Sequence, residues 1–303
     1  MGLSGQKRFQ DWRDDAKSTL QKEGIEPSEV EVELNAMAQF VLGLTRSQLI
    51  TRRDALLTNE QLSVLAQMIK RRSQREPLSH ILGEWEFWSL PFKVTSDTLT
   101  PRADTEVLIE EALKWLSHTP LNKLGGTVID VGTGTGCIGL SIASERPDLS
   151  YDLIDLCPQA LQVAQENANA LRAAGMIKSS THLTFTLSDL LTSSVLHRDL
   201  IMIVSNPPYI RRDVQSTLMP EVKHYEPDLS LFGEDLDGLG TVRRLISQAS
   251  TLLPKHGALF LEVGFDQTEA TADFFRQSNF EYVQMRRDYG GNPRVVWGIK
   301  ALD

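Results

Sequence analysis

The sequence holds 303 residues, of which 41% are hydrophobic and 23% charged, which places it among ordinary globular chains and excludes the disordered and fibrous classes. That length suggests two domains. A formal net charge of −9 argues against a protein that binds bare nucleic acid by wholesale neutralisation of phosphates. The longest apolar runs, at 200–204 and 258–261, fall far short of the roughly 20 residues that span a bilayer, so no membrane association is expected. Residues 1–13 show neither an apolar core nor an Arg/Ser-rich transit pattern, and a cytoplasmic protein is expected. Cys137 and Cys157 have no paired spacing and the six histidines are scattered, so no metal site is expected and both thiols read as packing residues.

Residues 1–83 read as a small helical bundle. Ser28 with Glu31 predicts a capping box ahead of Leu34, Met37, Ala38, Val41 and Leu42, and Gly43 offers a stop. A second box, Thr58 with Gln61, precedes Leu62, Leu65, Ala66 and Ile69. The basic group Lys70, Arg71, Arg72 and Arg75 then reads either as a solvated helix end or as a contact for a partner protein or ribosomal RNA. Charge is uneven: residues 1–83 carry 12 Lys and Arg against 11 Asp and Glu, which leaves 19 against 29 for the rest. Around Gly83 the pattern changes to Trp85, Phe87, Trp88, Leu90, Phe92 and Val94, broken at 89–91, which predicts a β-hairpin linker over 84–99.

Between 100 and 303, strands and helices alternate. Asp104 or Thr105 can cap a helix carrying Val107, Leu108, Ala112 and Leu116. Strands are predicted at 127–131, 151–156, 183–187, 200–204 and 258–263, with helices around 160–171 and 239–253. Near-continuous apolar strands in such an order predict an α/β domain with a mostly parallel sheet covered on both faces. The end differs, because extended runs at 280–286 and 294–299 flank Asp288-Tyr289-Gly290-Gly291-Asn292 and predict a terminal antiparallel hairpin.

Asp130-Val131-Gly132-Thr133-Gly134-Thr135-Gly136 lies where the first strand of the sheet meets a helix. Glycines there allow a tight turn and a close ligand approach at the carboxyl edge. Asp155 ends the next strand, where its carboxylate can accept both hydroxyls of a ribose. The turn alone leaves three readings open: Gly134, Gly136 and Gly139 also fit the dinucleotide fingerprint, an S-adenosylmethionine site fits as well, and so does a purely structural turn.

Asn206-Pro207-Pro208-Tyr209 breaks the tie. It follows the apolar strand at 200–204, and two prolines lacking amide donors make a stiff loop there. Asn206 adds a side-chain acceptor, the prolines leave carbonyls that need donors, and Tyr209 adds a flat face. Such a set suits a planar amide or amine nitrogen, whose lone pair is conjugated and hence a poor nucleophile; amide resonance supports a rotational barrier of roughly 18–20 kcal/mol. Acceptance of its two N–H bonds by the Asn206 oxygen and the Pro207 carbonyl favours a tetrahedral nitrogen aimed at a sulfonium methyl.

With these segments in hand the chain resembles the HemK/PrmC family of peptide chain release factor glutamine N5-methyltransferases. Other segments that carry the resemblance are Arg75-Glu76-Pro77-Leu78, His80-Ile81-Leu82-Gly83, Glu86-Phe87-Trp88, Pro101-Arg102-Ala103-Asp104-Thr105-Glu106, Tyr225-Glu226-Pro227, Asp237-Gly238-Leu239 and Asp288-Tyr289-Gly290-Gly291-Asn292-Pro293-Arg294. The resemblance implies a class I S-adenosylmethionine-dependent methyltransferase domain, Rossmann-like with a seven-stranded sheet, at 100–303, preceded by a helical substrate-recognition domain at 1–83. It implies that Gly132, Thr133, Gly134, Thr135, Gly136 and Asp155 bind S-adenosyl-L-methionine, with Asp189 facing the adenine and Leu190 standing where relatives sometimes carry an aromatic contact. Asn206 would contact cofactor and substrate, while Pro207, Pro208 and Tyr209 hold the substrate glutamine. That glutamine would be the one in the Gly-Gly-Gln loop of class I release factors, methylated by a monomer. Ala103 departs from the family's proline. Arg102 and Glu106 either brace the active-site loop or form a buried structural pair. Rival readings are a ribosomal-protein glutamine methyltransferase and a DNA adenine-N6 methyltransferase, the latter disfavoured by the acidic catalytic part.

Overall fold

A computed structural model describes residues 7–119, 121, 125–192 and 199–301. The described residues up to Gly83, together with Met219–Tyr225, form one compact unit; Glu84–Leu218 and the described residues from Glu226 onward form another. No helix among the described residues is long and apolar enough to cross a membrane.

The first unit contains α1 (Phe9–Lys22), α2 (Pro27–Leu42), α3 (Arg46–Thr51), α4 (Asn59–Ser73) and α5 (Leu78–Leu82). Trp12, Ala16 and Leu20 of α1, Val30, Leu34, Met37 and Ala38 of α2, and Leu65, Met68 and Ile69 of α4 are buried at spacings of three and four, so each helix turns one stripe inward. The Thr58 box forms: its hydroxyl accepts from the Gln61 amide at 3.1 Å and Gln61 Oε1 accepts from the Thr58 amide at 2.9 Å. Gly43 ends α2 in the left-handed region, at φ +63°. The box expected at Ser28 and Glu31 does not form. Pro27 opens α2 with no side-chain cap, because a proline has no amide to satisfy and its φ is preset for the first helical position. Glu31 instead pairs with Arg13 and, at 2.7 Å, with Lys17.

Of the basic group at 70–75, Lys70 is an exposed residue of the last turn of α4, whereas the three arginines are engaged within the unit. Arg72 is 3% exposed and bonds Glu33 at 2.8 Å and Glu221 at 2.9 Å. Arg75 reaches Glu221 at 2.8 Å and the carbonyl of Gly24 at 3.0 Å, while Arg71 takes Glu76 and the carbonyls of His80 and Ile81. These guanidiniums fasten the unit internally, including its separate stretch Met219–Tyr225.

The second unit begins with an antiparallel ribbon of β1 (Glu84–Phe87) and β2 (Leu90–Lys93). Its turn is Trp88-Ser89, both at positive φ (52° and 57°), rather than the expected 89–91. Two side chains steady that uncommon backbone from outside: the Trp88 amide donates to Glu106 Oε1 at 3.0 Å and its indole to Glu145 Oε1 at 3.1 Å. Glu106 is therefore not the partner of Arg102, which pairs with Glu226 at 2.6 Å.

Seven further strands are β3 (Thr127–Val131), β4 (Ser150–Asp155), β5 (His182–Leu187), β6 (Leu200–Ser205), β7 (Ala258–Glu262), β8 (Phe280–Arg287) and β9 (Pro293–Lys300), ordered β5-β4-β3-β6-β7-β9-β8. The first five are parallel, and β9 and β8 close the edge antiparallel, as expected. In chain order the remaining helices are α6 (Glu106–His118), α7 (Cys137–Glu145), α8 (Pro158–Ala173), α9 (Pro220–Tyr225), α10 (Asp228–Leu231), α11 (Gly240–Leu252) and α12 (Thr268–Gln277); α9 alone among these belongs to the first unit. Neither Asp104 nor Thr105 caps α6 by its side chain; a 3-10 turn over Ala103–Thr105 leads straight into it. Alternation sorts the strand residues by face. Val128, Leu153, Met202 and Phe260 pack with α6, α7 and α8, whereas Ile129, Ile154, Ile203 and Leu261 pack with α11 and α12. The chain runs from β3 outward through β4 and β5, then returns to the other side of β3 for β6 and β7. The strand order thus reverses between β3 and β6, and the crevice beyond their carboxyl ends is where ligands of this architecture bind.

Removing a buried cation strands its carboxylates. Arg72→Ala is expected to destabilise the chain by about 3–5 kcal/mol, read as a lowered urea midpoint at unchanged or reduced slope; a midpoint equal to that of the parent would refute the internal role given to Arg72.

Candidate active site

The site lies wholly within the second unit. The last pairing of β3 with β6 sets Val131 opposite Ser205, and the Ser205 hydroxyl donates to the Val131 carbonyl at 2.7 Å. Gly132 and Asn206 are the next residues on each side, so the glycine turn and the Asn-Pro-Pro-Tyr segment start side by side. A cavity of about 280 Å³ opens there.

The turn from β3 to α7 takes φ +68° at Gly132, +55° at Gly134 and +83° at Gly136. Its glycines do different things. A Cβ at Gly132 or Gly134 would meet nothing within 4 Å, and both border the cavity; a Cβ at Gly136 would run into Leu140 and Ala164. The first two therefore leave backbone open to a ligand, and the third lets α7 pack on α8. Thr133 and Thr135 also line the cavity.

Asp155, at the end of β4, accepts from the Gly134 amide at 2.8 Å with one oxygen and from the Cys157 amide at 2.8 Å with the other. Each oxygen keeps a second lone pair, enough to take a pair of ribose hydroxyls. Burial raises this carboxyl above the ordinary carboxylate range despite the backbone donors. Asp189 and Leu190 border the same cavity beyond β5. Asp189 is held by Arg244 at 2.6 Å, and Arg244 also reaches Glu234 at 2.6 Å.

On the other side, Asn206 and Pro208 line the cavity, and among the described residues the Asn206 carboxamide makes no hydrogen bond. Pro207 is buried and Tyr209 is half-buried, and neither forms the cavity wall. The Tyr209 hydroxyl instead donates to Glu262 Oε1 at 3.3 Å, and burial pushes that phenol upward. Both thiols border the cavity, and burial pushes that of Cys137 up to about 12, which leaves it protonated and inert.

Sequence reasoning passed over Asp130, Arg244, Glu262 and Gln267. Asp130 was legible in part, since an acid directly before a glycine turn sits at the ligand edge. It is 1% exposed; its Oδ2 accepts from the Thr133 hydroxyl at 2.6 Å and the Gly139 amide at 2.9 Å, and its Oδ1 has no partner. Burial raises it to about 6. A buried carboxylate oxygen without a donor is costly and is relieved by a cationic ligand nearby. The unsatisfied Asp130, the exposed glycine backbone and the two-oxygen receptor at Asp155 together fit S-adenosylmethionine, which carries an ammonium, a sulfonium and a ribose diol.

Residues 11–83 match the family model described as PrmC N-terminal domain, and residues 107–222 the one described as Methyltransferase small domain. The chain is 34% identical over 285 residues to the release factor glutamine methyltransferase of Caulobacter vibrioides, covering 94% of each. To the release factor glutamine methyltransferase of Escherichia coli K12 it is 36% identical over 292 residues, covering 96% of this chain and 98% of the relative. Among solved structures, the hMettl16 catalytic domain in complex with the MAT2A 3'UTR hairpin 6 matches at 14% identity and a TM-score of 0.53, over 84% of this chain and 86% of that one, a likeness of fold alone.

The raised carboxyls set a pH dependence with a definite sign. Ionised Asp130 is the form that attracts an ammonium and ionised Asp155 the form best able to accept hydroxyl protons; burial raises both carboxyls, that of Asp130 to about 6, so ionisation follows rising pH. Affinity for S-adenosylmethionine, followed by calorimetry, is expected to climb between about pH 5 and about pH 7 and then level off. Asp130→Asn should flatten the climb; an affinity that falls over this interval would contradict the assignment.

Proposed function

We propose that this chain, which belongs to the release factor glutamine methyltransferase family, methylates the side-chain amide nitrogen (N5) of the glutamine in the Gly-Gly-Gln motif of class I peptide chain release factors. It is an S-adenosyl-L-methionine-dependent methyltransferase. The observation that carries the reading is the seam at Val131 and Ser205, which sets the unengaged Asn206 carboxamide beside the glycine turn and on one cavity with Asp155.

When bound, the cofactor supplies an electrophilic methyl on a sulfonium. Everything else falls to the chain. Gly132 to Thr135 and Asp155 would hold the cofactor, with Asp189 on the side of its adenine. Asn206 Oδ1 and the Pro207 carbonyl accept the two N–H bonds of the amide, which draws the nitrogen lone pair out of conjugation and towards the methyl. The same two acceptors would stabilise the positive charge that gathers on the nitrogen as it takes up the methyl, until one of its N–H protons passes to water. Pro208 and Tyr209 keep the amide plane in register. No strong base is required, since each 1.36 kcal/mol of transition-state preference is worth tenfold in rate and two preorganised acceptors with close alignment supply several such factors. The helical unit, 1–83 with its returning stretch, is the part we assign to recognition of the protein substrate, with the ribbon at 84–99 following it in the chain.

Labelled S-adenosylmethionine incubated with purified release factors is expected to mark the parent factors and not versions whose loop glutamine is replaced; label that persists on the replaced versions, or that appears on ribosomal proteins instead, would overturn the substrate assignment. In the same assay Asn206→Ala should reduce kcat by about 100-fold or more while the thermal midpoint stays put, because it removes an acceptor used chiefly in the transition state. Near-normal turnover by that variant would sink the mechanism.

A further inference from the structure

Tyr209 is held at both ends by residues that come at or after the end of β7. Its hydroxyl donates to Glu262 Oε1 at 3.3 Å, and its carbonyl accepts from Gln267 Nε2 at 3.0 Å. Gln267 is 7% exposed and its carboxamide is fully engaged: Nε2 gives its other hydrogen to the Asp237 carbonyl at 3.0 Å, and Oε1 accepts from the Gly264 amide at 3.0 Å. One side chain thereby joins three loops at the carboxyl edge, those after β6, before α11 and after β7.

The chemistry of that junction is demanding. Two carbonyls need donors and one amide needs an acceptor, all within reach of a single planar group. A glutamine meets the three needs at once; a lysine or arginine has no acceptor, and an ionised glutamate no donor. Although Gln267 precedes α12, its side chain caps no helix amide, so helix capping does not account for it. Two glycines bring the loops this close. A Cβ on Gly238 would collide with the Tyr209 carbonyl, and one on Gly233 with the carbonyls of Gly238 and Pro208. The loop before α11 therefore lies bare against the backbone of Pro208 and Tyr209.

We propose that Gln267 is a positioning residue for methyl transfer, acting through the backbone of Tyr209 and touching neither cofactor nor substrate. The proposal rests on the reading above that the Asn206 to Tyr209 segment holds the acceptor amide. Loss of the Gln267 clamp lets that segment drift while the glycine turn and Asp155, on β3 and β4, stay as they are. The consequence is a defect in the chemical step with cofactor binding retained.

The test uses the full chain with a purified release factor. Gln267→Met keeps the volume and removes the two donors and the acceptor. Its kcat is expected to fall about ten- to hundredfold, the cost of displacing an aligned group by a fraction of an ångström to 1 Å, with the KM for S-adenosylmethionine within about threefold of the parent. Gln267→Glu, which keeps the acceptor facing Gly264, should show the same split and serves if the methionine variant does not fold. A kcat within twofold of the parent, a loss carried by the cofactor KM, or failure of both variants to fold in the presence of cofactor would overturn the proposal. Tyr209→Ala run alongside separates the two readings: normal turnover there removes the premise, whereas impaired turnover with a normal Gln267→Met variant removes the Gln267 proposal alone.

Discussion

The seam between β3 and β6 is the constraint on which the site depends. Ser205 is fully buried, and a hydroxyl in that position must find an acceptor; it finds the last carbonyl of the neighbouring strand. One bond thus aligns the exits of the two strands at the point where the sheet's order reverses. Downstream of one exit is a backbone built to let a ligand approach, and downstream of the other is a backbone built not to move. On the proposed function, methyl transfer asks for near-attack geometry between a group at the first and a nitrogen at the second, and the sheet fixes that separation.

Burial at the same edge concentrates carboxyls. Asp130, Asp155 and Glu262 end or nearly end β3, β4 and β7, three of the five strands of the parallel core, and desolvation raises all three. The acidic balance of the catalytic part, which as a bare count only disfavours nucleic acid, has a local counterpart here. Asp155 lines a cavity suited to a cationic cofactor, Asp130 is buried one residue before the cavity wall at Val131, and Glu262 receives the Tyr209 hydroxyl. Charge in this unit is placed where a ligand or a positioned side chain answers it.

Much of the architecture was legible because the signals were local. β6 and β7 carry unbroken apolar runs at 200–204 and 258–261, and the glycine turn and Asn-Pro-Pro-Tyr segment announce themselves by residue type. Where reading failed, a local rule met a stronger one or a distant partner. Pro27 took the start of α2 from the Ser28 box. The Trp88-Ser89 turn has none of the residues that usually mark positive φ, since its support comes from Glu106 and Glu145. Helix α12 went unseen because its inward stripe includes Thr268 and Thr271 beside Ala272 and Phe275. The arginines at 72 and 75 looked like part of a surface patch because Glu221, 149 residues beyond Arg72, cannot be seen from their neighbourhood. Gln267 carried no signal at all: a glutamine in a loop is unremarkable until its three partners are in place.

The return of residues 219–225 to the helical unit changes what kind of object that unit is. A cut at Gly83 severs the polypeptide once, yet the unit is made from two stretches, and Arg72 and Arg75 meet a carboxylate supplied by the second. It is therefore not a cassette that recombination could place ahead of a foreign domain by a single crossover. Its inheritance is tied to the insertion between β6 and β7, and a chimera that exchanges only one of the two stretches between relatives brings together charges that were never matched.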